Sequence, residues 1–383
     1  MHASNLVLAL KGLDAKIQFR GMGGSYSKEV GVELALDYQD VALMGFIEVI
    51  FGFRKVLKYL RWIKKDIISY RPDALVLVDF GGFNMKVASY AKKLRIPVHY
   101  YIPPKVWAWN QNRAYALKKS TDKIYSILPF EPAFFEKFEM NVHYVGNPLL
   151  DEIKKFKGHD FFYQKNELSF QPIVALLPGS RTQEIKGMLA KMIALVKEFP
   201  QVQFVVAGVD SLPASVYELA LAQGIRVIYN QTYDLLSHAT AAVVTSGTAT
   251  LETALFKVPQ VVVYRASWIS YQIAKRLIRV PYISLPNLIA DHQVVPELIQ
   301  DDFSSINLRE ELDRLLSDLA YRKEILEGYA LIRSKIGEES ASQQTAQLIL
   351  GVEASWKNKP RGDRGLIFKL PVIAWIWKYQ ILT

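Results

Sequence analysis

The turn Ser246-Gly247-Thr248 has residue types suited to holding a phosphate or diphosphate. It follows the apolar run AAVV and comes just before a predicted helix. Helix N-termini present free N–H groups and a positive dipole end, and glycine lets the backbone approach an anion closely. Glu252 follows about one helical turn later, where a carboxylate can accept a hydrogen bond from a sugar hydroxyl. The alternative is an ordinary capped helix in an α/β sheet, which has the same local sequence.

A second turn, LPGSRTQE, follows the apolar run PIVAL and adds Arg181. The arginine guanidinium offers a bidentate fork to phosphate oxygens. Because a cation at a helix N-terminus opposes the dipole, we expect an anion to lie between the two. Arg181 can otherwise be an exposed cation at the start of a helix.

Two further polar residues occupy predicted loops. Asp79 follows the predicted strand ALVLV, where a carboxylate can serve as a general base. Its alternative is an Asx-turn or a helix cap. Asn287, in SLPN, is either a loop amide that faces a cleft or a turn residue. No nucleophile with a partner base accompanies any of these turns.

Apolar, β-rich runs alternate with helical patterns on both sides of a polar, Gly- and Pro-broken stretch. This alternation predicts an α/β fold with two doubly wound parallel-sheet domains. We predict domains at 1–165 and 166–350, the second ending in helices, and a basic, aromatic tail at 351–383 that belongs to neither sheet. Two such domains usually bind a ligand in the crevice at the carboxyl ends of their strands.

Composition excludes several kinds of site. The chain has no cysteine, which rules out disulfides, thiolate metal ligands and a thiol nucleophile. The six histidines are scattered without an HExxH-like pair, so we expect no metal. A net charge of +10 favours an anionic partner. No recognition motif accompanies the charge, so nucleic acid is not expected.

The segment 44–69 suggests contact with lipid. No run of about 18 uninterrupted apolar residues occurs, and the start has no basic leader, so a soluble or peripheral protein is expected. The leucine face of the segment suits a helix that covers a sheet. Its aromatic start is harder to bury and is predicted to contact a membrane or acyl chains. The residues concerned are Phe46, Ile47, Ile50, Phe51 and Phe53.

Taken together, the motifs resemble those of the lipid-A-disaccharide synthases, which are inverting GT-B glycosyltransferases. The resemblance covers residues 1 to about 350, in the order of the family. It is carried by VALMGFIEVI, VDFGGFN, HYYIPPKVWAWNQNR, ILPFEPAFF, YVGNPLLD, LLPGSRTQEI, TSGTATLETALFKVPQVVVY, SLPNLIA and VPELIQ.

The resemblance implies a reaction. UDP-2,3-diacylglucosamine would donate its sugar to 2,3-diacylglucosamine 1-phosphate, giving a β-1,6 disaccharide and UDP, with no cofactor. A protein of this kind would work peripherally on the cytoplasmic face of a Gram-negative inner membrane, and a homodimer is compatible with it.

The resemblance also implies roles for individual residues. Ser246, Gly247, Thr248 and Arg181 would hold the UDP diphosphate and Glu252 the ribose. Asp79 matches the acidic residue that acts on the acceptor 6-hydroxyl, and Asn287 matches a donor-side cleft residue. The helix dipole and Arg181 can stabilise departing UDP, so no metal is demanded.

The chain departs from the family pattern at both ends. The family begins with a central strand and a Gly-x-x-Ser-Gly-Asp turn, and this chain starts inside that turn, at Met1-His2-Ala3-Ser4. We therefore expect the first strand of the N-terminal domain to be missing and the natural start to lie upstream. The tail matches no family feature. Two alternatives are an isomerase of the UDP-GlcNAc 2-epimerase type and a catalytically weak, membrane-associated remnant that binds UDP.

Overall fold

The protein forms two compact units. The computed structural model describes residues 1–37, 52–278, 280–351 and 369–374. Among the described residues, the first unit contains Met1–Asp151 and those from 338 to 374, and the second contains Glu152–Gly337. The divisions therefore fall at 151 and 337, whereas the sequence analysis placed them near 165 and at 350.

Strands and helices alternate along the described chain. The strands are β1 (Gln18–Gly23), β2 (Glu33–Asp37), β3 (Leu75–Val78), β4 (Val98–Tyr101), β5 (Lys123–Ser126), β6 (His143–Tyr144), β7 (Ile173–Leu177), β8 (Gln203–Gly208), β9 (Arg226–Tyr229), β10 (Ala239–Thr245), β11 (Gln260–Tyr264), β12 (Glu297–Ile299) and β13 (Lys369–Ala374).

The helices are α1 (His2–Leu13), α2 (Ser25–Glu29), α3 (Gly52–Tyr70), α4 (Gly81–Lys93), α5 (Arg113–Ser120), α6 (Glu131–Glu136), α7 (Pro148–Lys155), α8 (Phe162–Lys165), α9 (Thr182–Ile193), α10 (Glu218–Leu221), α11 (Thr232–His238), α12 (Thr248–Leu255), α13 (Trp268–Leu277), α14 (Leu285–Ala290), α15 (Ser305–Ser317), α16 (Leu319–Ile336) and α17 (Ala341–Leu350). Short 3-10 turns cover Val196–Glu198 and Ala214–Tyr217.

The sheet of the first unit has the order β2-β1-β13-β3-β4-β5-β6, with parallel pairing throughout. One of its inner strands comes from the tail, since β13 pairs with β1 on one side and with β3 on the other. The prediction that the tail belongs to neither sheet is therefore wrong for residues 369–374. The position left without a strand in the sequence analysis is filled by β13. Pro371 lacks an N–H, so β13 has one donor fewer than an ordinary central strand.

The last helix belongs to the first unit because its apolar side packs against α1. Ala341 and Ala346 of α17 lie in the same buried cluster as Leu6 and Leu10 of α1. The start of α17 is also tied to the first unit by Asp151, whose Oδ2 accepts from the N–H of Ser342 at 3.1 Å and from its hydroxyl at 2.7 Å. These contacts explain why the second unit ends at 337 and not at 350.

The sheet of the second unit has the order β12-β11-β10-β7-β8-β9 and is also parallel. Its central strands read as continuous apolar runs because helices cover both faces of such sheets. β10 and β7 are neighbours, with Val244 opposite Leu177 near their carboxyl ends. The two turns singled out in the sequence therefore leave the sheet from adjacent strands at the same edge.

The helix predicted from segment 44–69 is present in the described chain as α3. Its leucine face is buried as predicted, with Leu60, Ile63 and Ile67 each at most 5% exposed. Phe46, Ile47, Ile50 and Phe51 lie outside the described residues, as does the side chain of Phe53. Within the described part of the chain, no helix is both long and apolar enough to cross a membrane.

Removing the tail should destabilise the first unit selectively. A chain ending at Gly351 loses β13, which leaves β1 paired only with β2 and β3 paired only with β4. Unpaired buried backbone groups are costly, so we expect amide protection to collapse in β1 and β3 and to persist in β7 and β10. Hydrogen exchange read by mass spectrometry measures the amide protection of these four strands. A chain ending at Ala374 is the matched control, and equal protection of β1 and β3 in the two truncated proteins would contradict the β13 pairing.

Candidate functional site

The turn between β10 and α12 presents an open helix N-terminus. Gly247 has φ +157° and ψ −162°, a combination that is accessible essentially to glycine alone. Apart from its two chain neighbours, no described residue has a heavy atom within 4 Å of the place where a Cβ would stand on Gly247, and both Gly247 and Thr248 are exposed. The first N–H groups of α12 come before any intrahelical acceptor. The turn can therefore receive an anion against its backbone.

Ser246 is held from both sides of the turn. Its N–H donates to the carbonyl of Val263 at 3.0 Å, and its hydroxyl donates to the carbonyl of Ile283 at 2.8 Å. The hydroxyl proton assigned to an anion from the sequence thus has an acceptor within the protein. In this arrangement Ser246 fixes the turn, while Gly247 and Thr248 remain exposed.

Glu252 lies half-buried on α12 with a hydroxyl partner that the sequence analysis missed. The hydroxyl of Tyr233 donates to Oε1 of Glu252 at 2.9 Å. Burial raises the pKa of Glu252, and the Tyr233 hydrogen bond opposes that rise. Tyr233 is itself held by ring contacts with Phe156 and Phe256. No motif marks Tyr233 in the sequence, so only the fold shows that it orients this carboxylate.

The turn after β7 has a carboxylate close to Arg181, that of Glu184. Glu184 accepts the N–H of Ser180 at 3.1 Å and forms an ion pair with the guanidinium of Arg181. The carboxylate thereby balances the cation that the sequence analysis expected a ligand to balance. Gly179 makes this possible, since it has φ +114° and a Cβ there would overlap Glu184. Among the described residues, the buried Nε of Arg181 has no hydrogen-bond partner.

Arg181 belongs to the turn that follows β7, and β10 lies between β7 and β11 in the sheet. Burial raises the pKa of Tyr264, at the carboxyl end of β11; the charge of Glu184 adds to the rise and that of Arg181 opposes it. Because the strands are parallel, the turn that contains Arg181 and the Ser246-Gly247-Thr248 turn leave the sheet at the same edge.

Asn287 is fully buried and all of its side-chain capacity is used within the protein. Its oxygen accepts the N–H groups of Val294 and Val295, at 2.8 and 2.9 Å. Its nitrogen donates to the Val295 carbonyl at 2.9 Å and to Glu297 at 2.8 Å. The structure therefore favours the turn-residue alternative for Asn287 over an amide that faces a cleft.

Asp79 lies in the first unit, in a strained turn between β3 and α4. Asp79 and Phe80 have φ values of +55° and +49°, a left-handed conformation that is uncommon for residues other than glycine. The Asp79 carbonyl accepts from the Tyr100 hydroxyl and from Asn84 Nδ2, each at 2.7 Å. Its N–H donates to the carbonyl of Tyr101 at 3.0 Å. Strain of this kind persists where the surroundings hold it, and it is frequent at functional sites.

The Asp79 side chain is exposed, yet nearby protein still displaces part of its solvent. This desolvation raises the pKa of the Asp79 carboxyl above the ordinary value of 3.8, and the Phe80 N–H and the charge of Lys105 lower it. A carboxylate with a raised pKa is a better general base. The geometry is compatible with both the general base and the turn residue proposed from the sequence.

The aromatic loop after β4 packs into the first unit. Tyr100, Tyr101 and Trp107 are buried, and the Trp107 indole donates to Oε1 of Glu131 at 3.0 Å. Glu131 Oε2 also accepts the N–H groups of Ile127 and Leu128, at 3.2 and 3.0 Å. These three aromatic side chains therefore belong to the core, and the loop is held by the buried carboxyl of Glu131.

Comparisons with known proteins give a family match over most of the chain and a likeness to solved structures. A family model described as lipid-A-disaccharide synthetase matches residues 1–350. A lipid-A-disaccharide synthase of Syntrophotalea carbinolica is 34% identical over 91% of this chain and 91% of the relative. Another, of Geobacter sulfurreducens, is 34% identical over 91% and 93%. The solved UDP-GlcNAc 2-epimerase of Neisseria meningitidis, bound to UDP-GlcNAc, aligns with a TM-score of 0.57 at 13% identity, over 91% of this chain and 94% of that one. This last likeness shows the fold alone.

Glu131 should make the stability of the first unit depend on pH. Burial raises its pKa from 4.5 to about 7, so ionising it in the folded protein is unfavourable. The stabilisation is complete below pH 4.5 and is lost as the pH rises through about 7. We expect the melting temperature of the wild type, measured relative to Glu131→Gln, to fall by several degrees between pH 5 and pH 8, at roughly 2–4 °C per kcal/mol. A difference that stays constant across this range would contradict the shifted pKa.

Proposed function

The chain belongs to the lipid-A-disaccharide synthetase family, and we propose that it transfers diacylglucosamine from UDP to 2,3-diacylglucosamine 1-phosphate. It is a glycosyltransferase of lipid A biosynthesis with two Rossmann-like units of the GT-B type. The observation that carries the substrate proposal is that the turn with the exposed Gly247 and the turn with Arg181 follow the adjacent strands β10 and β7. A UDP-linked donor needs a place for its diphosphate, and this edge of the second sheet is the proposed one.

The diphosphate would lie against the N-terminus of α12. The outward N–H groups, Gly247 and the Thr248 hydroxyl supply donors, while Ser246 keeps the turn in place through Ile283. Arg181 belongs to the turn at the same edge, where its charge is paired with that of Glu184. Its guanidinium has more donors than this pairing uses, so it can contact phosphate oxygens as well. The dipole and these donors together stabilise UDP as it departs.

The ribose would lie beside Glu252. Tyr233 holds one carboxylate oxygen of Glu252, which leaves the other to accept a ribose hydroxyl. Because the tyrosine fixes the rotamer, the carboxylate is oriented before the nucleotide arrives. Asn287 contributes by shaping the turn that holds Ser246, through contacts within the protein.

The chemical step needs one base. As the 6-oxygen of the acceptor attacks C1 of the donor, Asp79 takes the proton of the attacking hydroxyl. The bond between C1 and the diphosphate oxygen breaks, UDP leaves with the electron pair, and the configuration at C1 inverts. One in-line displacement forms no covalent enzyme intermediate, so no nucleophile is required.

Lipid substrates place this chemistry at a membrane surface. We propose that the protein acts peripherally on the cytoplasmic face of the inner membrane, with Phe46, Ile47, Ile50, Phe51 and Phe53 in contact with acyl chains. The support is the cluster of large apolar residues in this segment and the net charge of +10, which favours anionic lipid headgroups. A homodimer is compatible with this arrangement.

Asp79→Asn should separate chemistry from nucleotide binding. The amide cannot accept the proton, so we expect the turnover number to fall roughly 10²–10⁴-fold, while the UDP dissociation constant changes little. Initial rates and titration calorimetry with UDP measure the two quantities. In the wild type, the acid limb of the rate profile should lie above pH 3.8, because desolvation raises the Asp79 pKa. Equal losses of turnover and UDP affinity would sink the assignment of Asp79 as the base.

Arg181→Ala should weaken UDP binding. A hydrogen bond to a charged group contributes about 1.5–3 kcal/mol, which corresponds to roughly a 10- to 100-fold rise in the dissociation constant. Arg226→Ala is the matched control, because Arg226 is a cation of the same unit paired with Glu167. If both variants bound UDP equally well, Arg181 would have no part in holding the diphosphate.

A further inference from the structure

Glu297, at the start of β12, accepts several hydrogen bonds from a neighbouring turn. Its Oε2 accepts the N–H of Ile283 at 2.9 Å. Its Oε1 accepts the N–H of Ser284 at 2.9 Å, the Ser284 hydroxyl at 2.6 Å and Asn287 Nδ2 at 2.8 Å. A single carboxylate therefore fixes both the backbone and the side chains of the turn that leads into α14.

A hydrogen bond joins this turn to the Ser246-Gly247-Thr248 turn. The carbonyl of Ile283 accepts the hydroxyl of Ser246 at 2.8 Å. Both polar groups of the Ile283 backbone are thus fixed, the N–H by Glu297 and the carbonyl by Ser246. A continuous chain of hydrogen bonds runs from β12 at the edge of the sheet to the turn that opens α12.

The other side of the turn is held as firmly. Asn287 accepts the N–H groups of Val294 and Val295, the residues that lead into β12. Asn287 is also bonded to Glu297, so the two side chains close a ring of contacts around the segment between them. The turn can shift only if several buried hydrogen bonds break together.

We propose that Glu297 is a positioning residue of the nucleotide site, acting on Ser246 through Ile283. The inference rests on the proposed function, since it assumes that the Ser246-Gly247-Thr248 turn holds the diphosphate. Glu297 does not touch the nucleotide. Glu297 fixes the position of the Ile283 carbonyl, and that carbonyl orients the Ser246 hydroxyl. Ser246 in turn fixes the backbone of Gly247 and Thr248.

The four groups that face Glu297 are all donors, which makes a carboxylate specific to the position. Replacing Glu297 with glutamine keeps the shape but turns an NH₂ group toward N–H and O–H donors. At least one buried donor then loses its acceptor, which is costly. We expect Glu297→Gln to raise the UDP dissociation constant about tenfold, since 1.4 kcal/mol is a factor of ten.

A double-mutant cycle separates positioning from general destabilisation. The UDP dissociation constant is measured by calorimetry for wild type, Glu297→Gln, Ser246→Ala and the double variant. If Glu297 acts through Ser246, Glu297→Gln should raise the UDP dissociation constant little further in a protein that already lacks the serine hydroxyl. The effects of the two substitutions on the binding free energy are then not additive. A second cycle with Tyr329→Phe, which removes a buried hydroxyl bonded to Val258 in the same unit, should be additive.

Each outcome decides the proposal. Additive effects of Glu297→Gln and Ser246→Ala, or unchanged UDP affinity in Glu297→Gln, would overturn it. If Glu297→Gln does not fold, as judged by circular dichroism, the same cycle is run with Glu297→Asp, which keeps the charge but shortens the reach. Folded wild type that binds no UDP would instead refute the proposed function, and that result is distinct from an additive cycle.

Discussion

Backbone N–H groups at the ends of strands and helices need acceptors, and carboxylates supply several of them in this protein. Glu297 accepts for the turn before α14, Glu184 for the turn after β7, and Glu131 for the loop before α6. Asp122 accepts the N–H that opens β4, and Asp151 accepts the one that opens α17. The shape of the turns therefore depends on side chains that lie outside the turns or at their margins.

The same contacts would prepare the proposed site before any ligand binds. On the second unit, neighbouring parallel strands bring the N-terminus of α12 and the Arg181–Glu184 ion pair to one edge of the sheet. On the first unit, the strained backbone at Asp79 is held by Tyr100 and Asn84. Gly81 allows Pro104 to pack close by, because a Cβ there would overlap the proline. Contacts within the protein therefore hold both the strained backbone at Asp79 and the N-terminus of α12.

Periodicity was sufficient to predict the long apolar strands, the leucine face of α3 and the turns after β7, β10 and β3, because these features are local in sequence. Short strands such as β6 and β12 were missed, since a few residues carry no measurable period. The place of β13 could not be predicted either. Parallel pairing joins residues far apart in the chain, and no local pattern identifies β1 and β3 as its neighbours. The roles of Glu184, Tyr233 and Glu297 likewise depend on contacts that only the folded chain creates.

The most direct test of the account is an initial-rate measurement with the UDP-linked diacylglucosamine donor, with and without the monosaccharide 1-phosphate acceptor. UDP and disaccharide are followed together, and the new linkage is identified by nuclear magnetic resonance. The proposed transfer should give equal amounts of UDP and β-linked disaccharide, and no turnover of donor when the acceptor is left out. Conversion of the UDP-sugar to an epimer, or saturable UDP binding by folded protein without disaccharide, would contradict it.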